Sequence, residues 1–207
     1  SAASAHPGVF EQGALMDTGV QREKEHQRAA GNARRRALSV QQRTAFDAAI
    51  AARVLALPAF AAARTVLSYC AVGGEANPAA IDAAALRLGK AVAYPLCLEE
   101  GHMEAALPEA ADALAPGRYG IPAPIPGRCR LLAPEDVDLA LVPCAAFDAF
   151  CRRVGMGAGY YDRYLARCGA FSVALAYEAQ RVPQAAAQEH DVLLCAVASE
   201  SGLYLRP

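Results

Sequence analysis

The chain lacks several things whose absence limits what it can be. Its 207 residues contain no apolar run long enough to span a bilayer, which argues against a membrane helix. Neither charge sign is in excess. Twenty Lys and Arg against 21 Asp and Glu leave a net charge of −1, the wrong balance for a dedicated binder of nucleic acid or anionic membranes. Seven cysteines are present, an odd number with no C-x-x-C pair, so neither a disulfide framework nor a zinc knuckle is indicated. The four histidines (His6, His26, His102 and His190) are scattered, with no two at metal-binding helical spacing. No internal repeat is visible. Residues 1–21 lack a basic segment followed by an apolar one, so no secretory signal is read there; a flexible tail is expected, with regular structure starting near Arg22. Free thiols point to a reducing compartment. A cytoplasmic location is expected, with an organellar address left open.

What is present is apolar: 55% of residues are hydrophobic and 20% charged, enough to bury a core in one domain over residues 22–207. Residues 22–37 are rich in Arg, Ala and Glu and predict a basic helix weakened at Gly31-Asn32, with Lys24 and Arg28 on one face. Taken alone, that face is a solvated one. Ser39 with Gln42 predicts a capping box, opening a helix that runs to about Leu57 and stops at Pro58. Strands are expected at 65–70, 91–95, 102–107, 137–142, 171–177 and 192–197. A helix is expected at 78–88, closed by Gly89, and a Pro/Gly-rich loop at 116–127. This alternation predicts the α/β class: a single-domain, layered, mostly parallel sheet with helices on both faces.

A long connection follows the strand ending at Val142. It runs from Pro143 to Gly159 and ends in Gly155-Met156-Gly157-Ala158-Gly159, opening into Tyr160-Tyr161-Asp162-Arg163. Connections in α/β units usually take ~2–6 residues, and ligands bind at the C-terminal ends of strands, where this one emerges. Glycines let the backbone approach an anion with its N–H groups. The run lacks the spacing of dinucleotide-binding and Walker loops, so by itself it is a weak signal. Arg152 and Arg153 before it and Asp162 after it strengthen the case: phosphates need cations, and Mg²⁺ needs a carboxylate. Charge compensation at a helix start explains Asp162 about equally well.

Leu141-Val-Pro-Cys-Ala-Ala-Phe-Asp148, with Arg153-Val-Gly-Met-Gly-Ala-Gly-Tyr-Tyr-Asp-Arg163, closely resembles the signature of the 5-formyltetrahydrofolate cyclo-ligase (5,10-methenyltetrahydrofolate synthetase) family. The likeness extends from Lys24 to about Glu200. It includes Lys24 and Arg28, the segment from Cys70 to Glu75, Tyr119-Gly-Ile-Pro-Ala-Pro124 and His190-Asp191. The resemblance implies cyclisation of 5-formyltetrahydrofolate to 5,10-methenyltetrahydrofolate, using ATP and Mg²⁺, through phosphorylation of the formyl oxygen and release of ADP and phosphate. It implies ATP contacts for Lys24, Arg28, Arg153, Val154, Gly155, Met156, Gly157, Ala158, Gly159, Tyr160 and Tyr161. Folate contacts are implied for Cys70, Glu75 and Met156 to Tyr160, and Mg²⁺ ligation for Asp162 and Asp191. No protein nucleophile is required. ATP and the folate are the expected partners, with no nucleic acid or membrane, and the chain is expected to be a monomer.

This chain departs from the family pattern at five places. Met156 and Ala158 replace other usual residues in the glycine run, and Cys151 stands at a usual glycine. Cys195 replaces a frequent Asp, and Asn77-Pro78 replaces Asp-Thr. Alanine at position 158 would be strained if its φ were positive. A catalytically weakened folate- or nucleotide-binding paralogue is the alternative these departures leave.

Overall fold

The structure, a computed structural model, describes residues 8–110, 112–117 and 120–207, with side chains from Thr18 onward except that of Glu100. The basic segment forms α1 (Gly8–Ala37), which starts well before the expected Arg22 and runs unbroken through Gly31-Asn32. Residues 8–21 are therefore helical, not tail; residues 1–7 lie outside the described residues. Gly31 is no defect in this helix. A Cβ there would overlap the Ala145 carbonyl oxygen and lie 2.9 Å from its carbon, so glycine is what lets α1 dock on the backbone after the central strand.

The capping box forms as expected: the Ser39 hydroxyl accepts from the Gln42 amide at 3.1 Å and the Gln42 side chain accepts from the Ser39 amide at 2.9 Å. It opens α2 (Val40–Leu55). The chain then restarts as α3 (Pro58–Ala62) with Pro58 at the first turn, where a missing N–H costs nothing. β1 (Thr65–Leu67), α4 (Ala79–Arg87) and β2 (Ala91–Cys97) complete a parallel crossover. β3 (Met103–Pro108) turns back antiparallel to β2. The stretch expected to be loop instead carries a two-stranded ribbon, β4 (Leu114–Pro116) with β5 (Pro122–Pro124). Tyr119 lies outside the described residues.

β6 (Cys129–Leu132) then pairs with β3, and β7 (Leu139–Pro143) returns to the centre beside β1. Inside the long connection β8 (Ala146–Phe147) and β9 (Arg153–Val154) form a small hairpin, which gives way to α5 (Tyr160–Leu165). β10 (Phe171–Leu175), β11 (Ala196–Ala198) and β12 (Leu203–Leu205) finish the sheet. Its order is β12-β11-β10-β7-β1-β2-β3-β6, parallel from β11 to β2 and antiparallel at both margins.

Alternate residues of the central strands face opposite layers. Val66, Val92, Leu139, Leu141, Val173 and Leu175 pack with Ile50, Val54, Phe60 and Ile81 of α2, α3 and α4. Leu67, Ala93, Ala140, Val142 and Ala174 pack with Tyr164 and Leu165 of α5 on the other face. The chain builds the sheet one way from β1 and the other way from β7. The loops leaving those two strands therefore diverge, and a crevice opens between them.

Candidate active site

A cleft of about 500 Å³ opens beside that crevice, over the ends of β7, β2 and β3. Its lining brings together every residue from Arg153 to Arg163, with Lys24 and Arg28 from α1 and Asp191 from the segment before β11. Pro95, Cys97, Met103 and Pro143 add strand ends from the sheet. The solvated-face reading of α1 thus gives way to a site-facing one: Lys24 is 8% exposed despite its charge.

The glycine run is built around two left-handed residues, Gly157 at φ +104° and Gly159 at +68°. Ala158 has no positive φ, so the strain anticipated there is absent. It falls on Cys151, at φ +64°, in the turn between β8 and β9. That turn is organised by Asp148, which is fully buried. Its carboxylate accepts from the amides of Phe150, Arg152 and Ala185 and pairs with the Arg152 guanidinium at 2.8 Å. α5 is a helix of only six residues, so the cations and loop amides, more than a helix dipole, make this end of the cleft electropositive.

Each cation in the cleft already has an oxygen partner. The Lys24 ammonium sits 2.6 Å from the Asp191 carboxylate and donates to Gln188 Oε1 at 2.6 Å. Arg28 Nε donates to the Gly155 carbonyl at 2.8 Å, and its guanidinium packs over Gly157. Arg153 Nη2 donates to Asp162 Oδ1 at 2.9 Å, an oxygen that also accepts from the Val192 amide. Arg163 fastens the loop from outside, donating from Nε to the Gly101 carbonyl at 2.9 Å and from Nη2 to that of Ala158. Asp148, Gln188 and Arg163 were not singled out from the sequence as site residues; their bonds to Ala185, Lys24 and Gly101 join distant segments, which no local pattern announces.

A model of the 5-formyltetrahydrofolate cyclo-ligase family matches residues 20–200. The chain belongs to that family. The cyclo-ligase of Escherichia coli K12 is 28% identical over an alignment covering 83% of this chain and 97% of its own. That of Mus musculus is 27% identical, covering 80% and 87%. Among solved structures, the 5,10-methenyltetrahydrofolate synthetase of Aquifex aeolicus superposes with a TM-score of 0.77 at 27% identity, over 88% of this chain and 92% of that one. The synthetase of Mycoplasma pneumoniae, at 21% identity and a TM-score of 0.70 over 86% and 98%, shares the fold.

Two residues that the cyclo-ligase pattern assigns to folate, Cys70 and Glu75, do not line the cleft. Both sit behind it, in the segment that leaves β1. Glu75 is buried, accepts from the Val72 amide at 3.1 Å and lies 3.7 Å from Arg35 Nη1. Burial raises its carboxyl above the usual range, against the lowering pull of that amide and of Arg35. Burial likewise lifts the Cys70 thiol and, with the charge of Glu75 adding to it, the Tyr161 phenol. Tyr161 lines the cleft and feels the charge of Glu75, which links the two electrostatically.

The two carboxylates expected to hold Mg²⁺, Asp162 and Asp191, line the same cleft. Among the described residues no three His, Cys, Asp or Glu side chains group to hold an ion by themselves. That donor set suits Mg²⁺, which commonly takes one or two carboxylates and completes its shell with phosphate oxygens and water.

Proposed function

We propose that this chain converts 5-formyltetrahydrofolate to 5,10-methenyltetrahydrofolate at the expense of ATP. Membership of the cyclo-ligase family supports the folate reaction. The observation that carries the ATP-dependent form is the meeting in one cleft of Lys24, Arg28 and Arg153 with a left-handed glycine loop and two carboxylates. Three cations and a run of backbone amides suit a polyphosphate far better than a neutral ligand.

In the proposed reaction the formyl oxygen attacks the γ-phosphorus. The bond from that phosphorus to the bridging oxygen breaks, and ADP departs. N10 of the folate then attacks the activated formyl carbon and gives up its proton. The carbon–oxygen bond to phosphate breaks, and the methenyl bridge closes. The chain supplies position and charge. Lys24, Arg28 and Arg153 hold the phosphates, and the amides from Gly155 to Gly159 cradle them. Met156 to Tyr160 contact the folate, whose far end would reach past the cleft lining to meet Cys70 and Glu75. Asp162 and Asp191 would hold Mg²⁺, whose chemistry is to offset negative charge on the phosphates. Lys24 and Arg153 are each neutralised by one of those carboxylates without ligand, so ligand entry exchanges partners without stranding a buried charge. Holding reactants aligned in a site of matched charge is the chain's contribution to rate.

The test mixes the protein with 5-formyltetrahydrofolate, ATP and Mg²⁺ and follows methenyltetrahydrofolate by its absorbance. Product that requires all three components is expected. Binding of both ligands with no product would leave the weakened paralogue as the correct reading.

A further inference from the structure

α1 places Lys24, Arg28, Gly31 and Arg35 along one face, at steps of four, three and four. The first two line the cleft and the third abuts the Ala145 carbonyl. Arg35 continues the stripe inward. Its neighbours Arg34 and Arg36 are exposed, yet Arg35 is 1% exposed. Its Nε donates to the Gly73 carbonyl at 3.3 Å, and its Nη1 faces Glu75 Oε1 at 3.7 Å with no hydrogen-bond partner. Gly73 and Gly74 both take left-handed backbone, at φ +56° and +79°, so the turn folds over the guanidinium. A guanidinium buried with so few partners costs stability, and apolar packing would be a simpler way to fill the space.

We propose that Arg35 is a positioning residue for the reduced folate, which it never touches, holding Glu75 in place and ionised from behind the cleft. The proposal rests on the reading that Glu75 meets the pterin ring. An ionised carboxylate accepts two hydrogen bonds from neighbouring N–H groups of a heterocycle, whereas a protonated one presents a donor where an acceptor is needed. Burial works against ionisation here, and Arg35 opposes that effect. The other groups around Glu75 are Arg43 of α2, beside Gly74, and Tyr69, Cys144, Tyr161 and Tyr177. Burial first, then neighbouring charge, pushes Tyr69 and Tyr161 upward, and burial lifts the Cys144 thiol to about 12. Tyr177 is raised in the same way, with Asp47 adding to the effect. These four stay neutral while Glu75 titrates.

The experiment measures KM for 5-formyltetrahydrofolate and for ATP in Arg35→Met, Arg35→Lys, Glu75→Gln and the double variant Arg35→Met/Glu75→Gln. Arg35→Met is expected to raise the folate KM on the order of 10-fold or more, with the ATP KM unchanged within about 2-fold. Raising the pH above the ordinary Glu range should recover part of that loss, because Glu75 then ionises without its cation. Arg35→Lys, which keeps the charge, should show a smaller loss and a flatter pH profile, and it serves as the test if Arg35→Met does not fold. Adding Arg35→Met to Glu75→Gln should change the folate KM no further. If Glu75→Gln leaves the folate KM unaltered, the reading of Glu75 fails. If Glu75→Gln raises it but the Arg35 variants do not, or raise both KM values together without pH recovery, the role of Arg35 fails.

Discussion

Cys151 carries backbone strain where a glycine would carry none. Its φ of +64° costs an L-residue about 1 kcal/mol, yet its side chain is fully buried and its thiol reaches the Tyr204 carbonyl at 3.4 Å. Two opposing terms follow for substitution. Cys151→Ala loses side-chain contacts and keeps the strain; Cys151→Gly loses slightly more contact and relieves it. Thermal unfolding is therefore expected to rank Cys151→Gly as stable as, or more stable than, Cys151→Ala, the reverse of the usual order for a buried site. Burial holds this thiol up at about 11, so slow reaction with alkylating reagents is expected in the native protein. At Asp162 the structure adds a partner to the two roles weighed from the sequence, since its Oδ1 also fixes Arg153. Asp162→Asn keeps an oxygen for the Val192 amide, so the protein should remain folded. Turnover should fall by ~100-fold or more, the size of one strong electrostatic contact at a transition state, with the loss greatest at low Mg²⁺ and smaller at high Mg²⁺. Near-normal turnover at limiting Mg²⁺ would reduce Asp162 to a structural partner of Arg153.

At the scale of elements, α1 depends on a position that looks like a flaw. Gly31→Ala would improve intrinsic helix propensity by about 1 kcal/mol, yet it places a methyl on the Ala145 carbonyl oxygen. The helix would have to lift, moving Lys24 and Arg28 from the cleft. We expect the ATP KM to rise several-fold in Gly31→Ala while far-UV circular dichroism changes little; an unaltered KM would mean that α1 can shift without disturbing the cleft. The same residue shows what the sequence made legible. Periodicity and capping placed α2, α4 and the central strands because their patterns are local: Phe46, Ile50 and Val54 at helical steps, Ser39 with Gln42, and apolar runs at β7 and β10. The β4–β5 ribbon, the β8–β9 hairpin, β6 and β12 were not anticipated, since strands of two to four residues are too short to show a two-residue periodicity. At the site, the glycine run and its flanking charges were readable because they are contiguous. Arg35 was not, since three consecutive arginines look alike until folding buries the middle one.

Across the whole molecule, burial creates a dependence on pH. Asp82, on α4, is buried, with one oxygen accepting from the Tyr94 hydroxyl at 3.0 Å and the Ser68 hydroxyl close by. Burial raises its carboxyl above the usual range, and Glu75 and Asp47 are raised by the same cause. A carboxyl raised in the folded state favours folding when protonated. Its contribution is fully present below the unfolded value and declines as pH climbs through the folded one. Asp82→Asn keeps the acceptor for Tyr94 and removes the titration. It is expected to have the higher Tm at pH 8, with the gap closing as the pH falls toward the ordinary Asp range. A gap that does not change with pH would show that Asp82 does not titrate with folding.

The contact between Lys24 and Asp191 joins residues 167 positions apart, and Gln27 to Gln184 closes nearly the same span. Local helices and the neighbouring strand pairs can form without it, whereas contacts across so much of the chain come late because their closure must be met by structure already in place. The end of the cleft proposed to hold ATP is thus completed by one of the longest-range contacts among the described residues. After dilution from denaturant, helical signal should return before the capacity to bind ATP, and the interval between them times the docking of α1.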